Sequence, residues 1–243
     1  MHGMSDDWNS RTKRMIGEAG VEKLASSAVC VFGLGGVGSA CAEALARAGV
    51  GTLIVVDKDD VDPSNINRQV IAFQSTIGRP KVEVMSAMAR DINPDIRVIP
   101  KKAFVRYQTI DEIMSNVDNI DYIVDALDTL TAKIAIAMYA QDSGIAAIHA
   151  MGGANKTDPT KLAFADLHDT KVCPLCRELR KIARKQGIEK MQVLYSCEQP
   201  MQVRAQEGAE RSEKTELGTM SYFPPIMGEM IASYVIRDLL GML

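Results

Sequence analysis

Aromatic residues are scarce in this chain: one tryptophan, five phenylalanines and six tyrosines, 5% of 243 residues. A nucleic-acid partner would find few rings on which to stack its bases. Cysteine is sparse too, and its odd count of five, spread along the chain, excludes the disulfide-stapled frame of a small secreted domain. A reducing compartment, the cytoplasm, is the expected location. The opening segment MHGMSDDWNSRTKR holds no apolar stretch, so a secretory leader is not expected. Long hydrophobic runs are missing as well: the most apolar late stretch, 226–243, is interrupted by Glu229, Arg237 and Asp238, which suits a buried or docking helix and no membrane span. Nor does one sign of charge dominate. With 28 Lys and Arg against 31 Asp and Glu, the formal charge of −3 excludes a polycation of the histone kind, although a local basic patch is compatible with that average. What is present suffices for a sizeable core, since 47% of residues are hydrophobic and the length predicts one large domain or one domain with an appendage.

Short apolar strands alternate with helical segments over the first 150 or so residues. Residues 28–33, 52–56, 96–99, 120–124 and 146–149 read as strands; 40–48, 81–92 and 131–141 read as helices, the second stopped by Asn93-Pro94. Unbroken apolar strands, each followed by a helix, predict a doubly wound α/β fold with a mostly parallel, Rossmann-like sheet covered on both faces. Beyond Gly153 the pattern loosens. Residues 162–167 and 191–195 are strand-like around a basic helix, and 198–219 is a charged segment expected to be mobile. The expected organisation is a helical arm over 1–27, a nucleotide-binding core over 28–155 and a C-terminal α+β elaboration over 156–243 on the same domain.

The turn after the first strand reads GLGGVGS. Gly33, Gly35, Gly36 and Gly38 allow a tight bend and bring backbone N–H groups to a phosphate at the start of the next helix, where the helix dipole favours negative charge. Asp57, at the tip of the second strand, is spaced to accept ribose hydroxyls. So far a dinucleotide fits as well as ATP. Arg68 and Lys81 tip the balance, because two fixed cations beside a phosphate loop suit a departing pyrophosphate, whereas a dinucleotide is usually satisfied by backbone N–H groups. Asp128, in DALD at the end of the fourth strand, is well placed for a Mg²⁺ bridging phosphate oxygens. Taken singly, the two cations would be solvated and Asp125 or Asp128 would cap a helix. Gathered at strand carboxyl ends of an open sheet, they point to a triphosphate.

Arg14 in RTKRMIGEAG, then GLGGVGS, DKDDVDPSNINRQ, GRPKVEV and DALD resemble, in order and spacing over about the first 155 residues, the adenylating domain of the E1-like superfamily that includes ThiF, MoeB and HesA. The resemblance implies an enzyme that activates a carboxylate by joining it to AMP. By it, Asp57 holds the ribose, Asn65, Arg68 and Lys81 hold the phosphates with Asp59 in the same binding set, and Asp128 holds magnesium. It further implies a homodimer, with Arg14, or its rival Arg11, crossing as an arginine finger into the partner's site, and it admits a structural monovalent cation.

Whose carboxylate is activated must be read from the C-terminal third. GGANKTDPTKLAFADLHDT, CPLCRELRK, VLYSCEQP and GTMSYFPPIMGEMIAS resemble the tRNA threonylcarbamoyladenosine dehydratase branch, which extends the likeness to essentially the full length. The implied reaction adenylates the threonine carboxylate of the modified adenosine in tRNA, which then closes internally with net loss of water. No enzyme nucleophile is required, because a reacting group a few bonds away has a large effective molarity. Residues 171–190 carry seven basic side chains against Glu178 and Glu189, and Arg177, Arg180, Lys181, Arg184 and Lys185 fall on one helical stripe, the expected track for an RNA backbone. A solvated amphipathic face is the plainer alternative.

Relatives that pass the adenylate to a ubiquitin-like sulfur carrier typically hold zinc with two CxxC pairs. This chain has Cys173-x-x-Cys176 and Cys197 alone, so a closed site would need a fourth ligand such as His168, and zinc is not expected. Activation of a sulfur-carrier protein, or partnership with a cysteine desulfurase, therefore ranks as an alternative. An NAD-binding dehydrogenase or regulator ranks after it, opposed by Arg68, Lys81 and Asp128. Cys173 and Cys176 read as two ordinary thiols at a helix start, with a redox pair or a thioester nucleophile as rival readings. Cys30, Cys41, Met85, Met88, Met114 and Met138 read as core filling. His149 ends the fifth strand, either orienting an acyl group or simply packed.

Overall fold

The apolar runs line up as one seven-stranded sheet in a computed structural model that describes residues 8–115, 117, 119–202 and 217–243. β1 (Ala28–Phe32), β2 (Thr52–Val56), β3 (Arg97–Lys101), β4 (Tyr122–Asp125) and β5 (Ala146–Ala150) are parallel, β7 (Gln192–Ser196) continues parallel to β5, and β6 (Leu162–Asp166) closes the edge antiparallel to β7. The order β3-β2-β1-β4-β5-β7-β6 reverses direction between β1 and β4. Such a reversal opens a crevice at the strand carboxyl ends, where open α/β sheets bind their ligands.

Seven helices are described around this sheet: α1 (Ser10–Ala25), α2 (Gly36–Ala48), α3 (Lys81–Ile92), α4 (Ile110–Met114), α5 (Leu130–Ser143), α6 (Pro174–Lys185) and α7 (Phe223–Leu239). Both faces of the sheet are covered, so side chains alternating along β1 serve two cores. Val29 and Val31 join residues of α2, α3 and α7, while Cys30 and Phe32 join residues of α4 and α5. Burial on both sides explains why the strands are apolar throughout, without a polar alternate face. Apart from Lys133, the middle of α5 is apolar for a similar reason: Ala132, Ile136 and Ala140 face the second core, and Ile134 and Ala137 face a third, built with α6, β6 and β7. α7 lies against α2 so closely that a Cβ on Gly228 would sit 2.3 Å from the carbonyl oxygen of Val37. Residues beyond 156 thus contribute two strands to the common sheet and a helix to its main core.

Some boundaries differ from the sequence reading. β3 runs through Pro100 to Lys101, opposite Val55 and Val56 of β2, because an edge strand tolerates the missing N–H that a central one would not. α2 starts within the glycine run, at Gly36, so the loop is shorter than its glycines suggest. α1 is interrupted at Gly17 (φ 72°, ψ 178°). Of the charged segment 198–219, residues 203–216 lie outside the described residues. No helix among the described residues is long and apolar enough to cross a membrane.

Candidate functional site

The glycine loop leaves β1 through Gly33, whose φ of 89° belongs to the left-handed region that glycine adopts without strain. Five residues later the requirement is one of space: a Cβ on Gly38 would lie 1.8 Å from the Gly33 carbonyl oxygen. Gly35 faces the opposite way, into open space, where an added Cβ meets nothing within 4 Å. The Tyr222-Phe223-Pro224-Pro225 segment supports the loop from behind, Pro224 lying where a Cβ on Gly36 would come within 2.7 Å. The first N–H groups of α2 have no acceptor within the helix, and Gly36 and Val37, which begin it, border the same opening.

Asp57 sits at the end of β2, buried, and ties this loop to the next. One carboxylate oxygen accepts the Leu34 N–H at 2.6 Å and the other accepts the Asp59 N–H at 2.8 Å. Each oxygen keeps a further lone pair. Asp62 and Asn65 cap the short turn Pro63–Asn65 reciprocally, and from this turn Arg68 projects, its guanidinium donating to the Ser64 carbonyl and the Asn67 side chain, both at 2.8 Å. Both acceptors are neutral, so among the described residues no carboxylate cancels the Arg68 charge. A bridge between Asp60 and Pro80 brings the GRPK segment alongside, with Lys81 Nζ buried 3.8 Å from Asp59. Asp128 stands exposed beyond β4 with the Thr129 hydroxyl as its hydrogen-bond partner at 3.2 Å.

One cavity of about 720 Å³ collects these groups: Gly35, Asp57, Asn65, Arg68, Lys81 and Asp128 all line it. Its surface holds an N–H-rich turn, the cations of Lys58, Arg68, Lys81 and Lys156 and the exposed carboxylates of Asp59 and Asp128, a combination receptive to a polyphosphate with its metal. Arg14 and Arg11 are exposed on α1 and do not line this cavity. Among the described residues no group of three or more His, Cys, Asp or Glu side chains is arranged to hold a metal ion.

Several site residues escaped the sequence reading. Gln69 lines the cavity, and its buried Oε1 has no hydrogen-bond partner, so it is an acceptor awaiting a donor. Beneath the DALD corner lies a closed charge cluster. Asp125 Oδ2 receives Lys133 Nζ at 3.0 Å and His149 Nδ1 at 2.9 Å, Oδ1 accepts the Leu127 N–H at 3.0 Å, and Lys133 also donates to the Ala150 carbonyl at 2.6 Å. Burial alone would raise the Asp125 carboxyl, but Lys133 and His149 together outweigh it and hold it below the usual carboxylate range. His149 is therefore packed beneath the cavity as an Asp125 partner, and it does not line the cavity wall.

On the far wall stand Lys156 and Cys173. Burial holds the Lys156 ammonium below the ordinary lysine range, and Nζ donates to the Glu198 carbonyl. Cys173 caps the start of α6. A hydrogen bond from the Cys176 thiol lowers its own thiol most, with the Cys176 and Leu175 N–H groups and the Lys156 charge adding to the effect against burial, to about 6. The shared proton and burial push Cys176 up.

The basic stripe needs correction. Arg177, Lys181, Arg184 and Lys185 are exposed, but Arg180 turns inward and half-buries its guanidinium against the Thr170 carbonyl and hydroxyl and the Leu167 carbonyl. Lys181 and Arg177 share Glu178 at 3.0 and 3.5 Å, which softens the positive face further.

The ThiF family model matches residues 9–242. A Bacillus subtilis protein named tRNA threonylcarbamoyladenosine dehydratase is 41% identical over 240 residues, covering 95% of this chain and 94% of its own length. Crystal structures of the E. coli tRNA N6-threonylcarbamoyladenosine dehydratase TcdA are 30% identical to this chain. The complex with AMP has a TM-score of 0.87 and covers 99% of this chain and 98% of its own. The complex with ATP has a TM-score of 0.86, with 98% and 96% covered.

Proposed function

Since the chain belongs to the ThiF family, we propose that it is an ATP-dependent adenylating enzyme that dehydrates the threonylcarbamoyl group of a modified adenosine in tRNA. The observation that carries this reading is the single cavity that gathers the glycine loop, Asp57, Arg68, Lys81 and Asp128. Similarity to dehydratases along nearly the whole chain, including the substrate-side third, supports the choice of carboxylate.

The chemistry follows from these groups. Asp57 spends one lone pair of each oxygen on the protein's own N–H groups and offers the others to ribose hydroxyls. The N–H groups opening α2 receive phosphate oxygens, which Gly35 lets approach closely. A carboxylate oxygen of the substrate attacks the α-phosphate in line, and pyrophosphate leaves. Arg68 and Lys81 stabilise the charge that accumulates on it, Arg68 with a guanidinium that no carboxylate neutralises. Magnesium held at Asp128 supplies further counter-charge when bound, and the solvated carboxylate there fits a hard cation. A nucleophilic atom of the same modified group, a few bonds away, then attacks the acyl carbon; the bond to AMP breaks, AMP leaves and the nucleophile's proton passes to solvent, with positioning as the main contribution.

A homodimer completes the site. Arg14 is exposed and does not line its own cavity; in this reading it serves the cavity of a second copy as an additional cation on the pyrophosphate. The tRNA backbone follows the exposed cations of α6. The test is Asp128→Ala, which should retain the wild-type melting temperature and lose ATP turnover stimulated by threonylcarbamoyl-modified tRNA. Undiminished turnover in the folded variant rejects the reading.

A further inference from the structure

We propose that Cys173 and Cys176 form a reversible dithiol–disulfide couple whose attacking sulfur, Cys173, opens into the nucleotide cavity, so that small-molecule disulfides and ATP exclude one another there. The inference rests on reading that cavity as the ATP site.

Four of the five cysteines are buried, yet only this pair is built for thiol chemistry. Cys30 and Cys41 lie fully enclosed in the two main cores, where burial pushes their thiols up and leaves them inert. Cys173 is 5% exposed, as enclosed as a core thiol, but the side it leaves open is a wall of the cavity. Its sulfur sits at the start of α6, where the neighbouring Cys176 thiol and the Cys176 and Leu175 N–H groups favour the ionised form. The Lys156 ammonium stands across from it in the same wall, buried, with a neutral carbonyl as its acceptor. A helix start, a thiol donor and a buried cation together select the thiolate. Cys176 is fully buried behind it, near Thr170 and Arg180, where it reaches Cys173 and nothing from solvent.

The chemistry balances with a low-molecular-weight disulfide, such as oxidised glutathione, as oxidant. The Cys173 thiolate attacks one of its sulfurs, forming a mixed disulfide and releasing one thiolate. That thiolate takes the Cys176 proton, and the Cys176 sulfur then attacks Cys173 Sγ, forming the protein disulfide and expelling the second small thiolate, which solvent protonates. The protein loses two electrons and two hydrogens, and the small disulfide is reduced to two thiols. Before this second step the adduct projects into the cavity that Cys173 lines.

The test uses the full chain carrying Cys197→Ser, which removes the exposed thiol. Limited alkylation followed by peptide mass spectrometry should label Cys173 about tenfold faster than Cys176, Cys30 or Cys41. Saturating Mg-ATP should slow that labelling several-fold. Oxidised glutathione should yield a Cys173–Cys176 disulfide, and Cys176→Ser, or Cys176→Ala if serine unfolds the protein, should halt at the glutathione adduct on Cys173 and lose ATP binding in calorimetry. Equal reactivity of the four buried thiols overturns the inference. So does a rate unchanged by ATP in protein that calorimetry shows to bind ATP, an outcome that leaves the proposed function standing. Absence of ATP binding to the reduced protein overturns both.

Discussion

Lys133→Met removes the one ammonium that offsets the fully buried Asp125 carboxylate, and the structure sets the size and the pH signature of the loss. Both side chains have no exposed surface, and Lys133 also carries a hydrogen bond to the Ala150 carbonyl, so the substitution leaves Asp125 with His149 and the Leu127 N–H alone. Breaking one side of a buried ion pair costs roughly 3–5 kcal/mol, and the surviving His149 contact favours the low end, about 3 kcal/mol. At about 2–4 °C per kcal/mol for a chain of this size, the melting temperature should fall by roughly 6–12 °C. The pH dependence distinguishes this cause from a packing defect. In the native protein the Asp125 carboxyl is held below its usual range, so its contribution to stability is complete above the unfolded value of about 4 and is lost as pH falls through the native one. In the variant, burial dominates and raises that carboxyl above its unfolded value. Lowering the pH then protonates it in the folded state and recovers stability, so the deficit should shrink from pH 8 to pH 5. Adding Asp125→Asn to Lys133→Met should restore much of the loss, because no charge is left buried. Calorimetric melts of the three variants at both pH values check this. A fall under about 2 °C, or a deficit equal at both pH values, refutes the reasoning.

Three further outcomes follow from the site. Asp128→Ala should lose tRNA-stimulated ATP turnover at unchanged melting temperature, as stated above. Arg14→Ala and Arg68→Ala should each be nearly inactive alone, yet an equal mixture of the two after subunit exchange should regain about a quarter of wild-type turnover, because about half of the dimers are then mixed and each mixed dimer holds one intact site of two; kinetics of the mixture check it, and no recovery means that Arg14 does not act across the dimer. Replacing Lys181, Arg184 and Lys185 together by Ala should weaken tRNA binding and flatten its salt dependence by about two to three contacts, read by filter binding over a salt series, whereas Arg180→Ala should lower the melting temperature instead.

The parts of this fold that were legible are those whose causes are local. Gly33 and Gly38 are needed by their own turn, and the runs 28–33 and 52–56 are apolar because both faces of the sheet are covered. Asp57, Arg68, Lys81 and Asp128 follow strand ends, and strand ends share one edge, so their convergence could be anticipated. The misses have partners that only the turns between elements bring within reach. Lys133 sits in an otherwise apolar helix, and that oddity is the signal that it must be paired, but Asp125 reaches it only after the chain turns at the strand end. Arg180 obeys the same helical spacing as its neighbours; what turns it inward are carbonyls of Leu167 and Thr170 in the preceding turn. Cys173 and Cys176 looked ordinary because spacing does not reveal that α6 begins at the cavity wall or that Lys156 arrives there from the loop after β5. Gln69 gave no signal beyond its place beside Arg68.

The central claim is most directly tested by incubating the purified protein with Mg-ATP and tRNA that carries threonylcarbamoyladenosine, then digesting the tRNA to nucleosides for mass spectrometry. The account predicts a modified nucleoside lighter by one water, formed together with AMP and pyrophosphate and absent without ATP. A nucleoside of unchanged mass, from protein that binds ATP and remains folded, contradicts it.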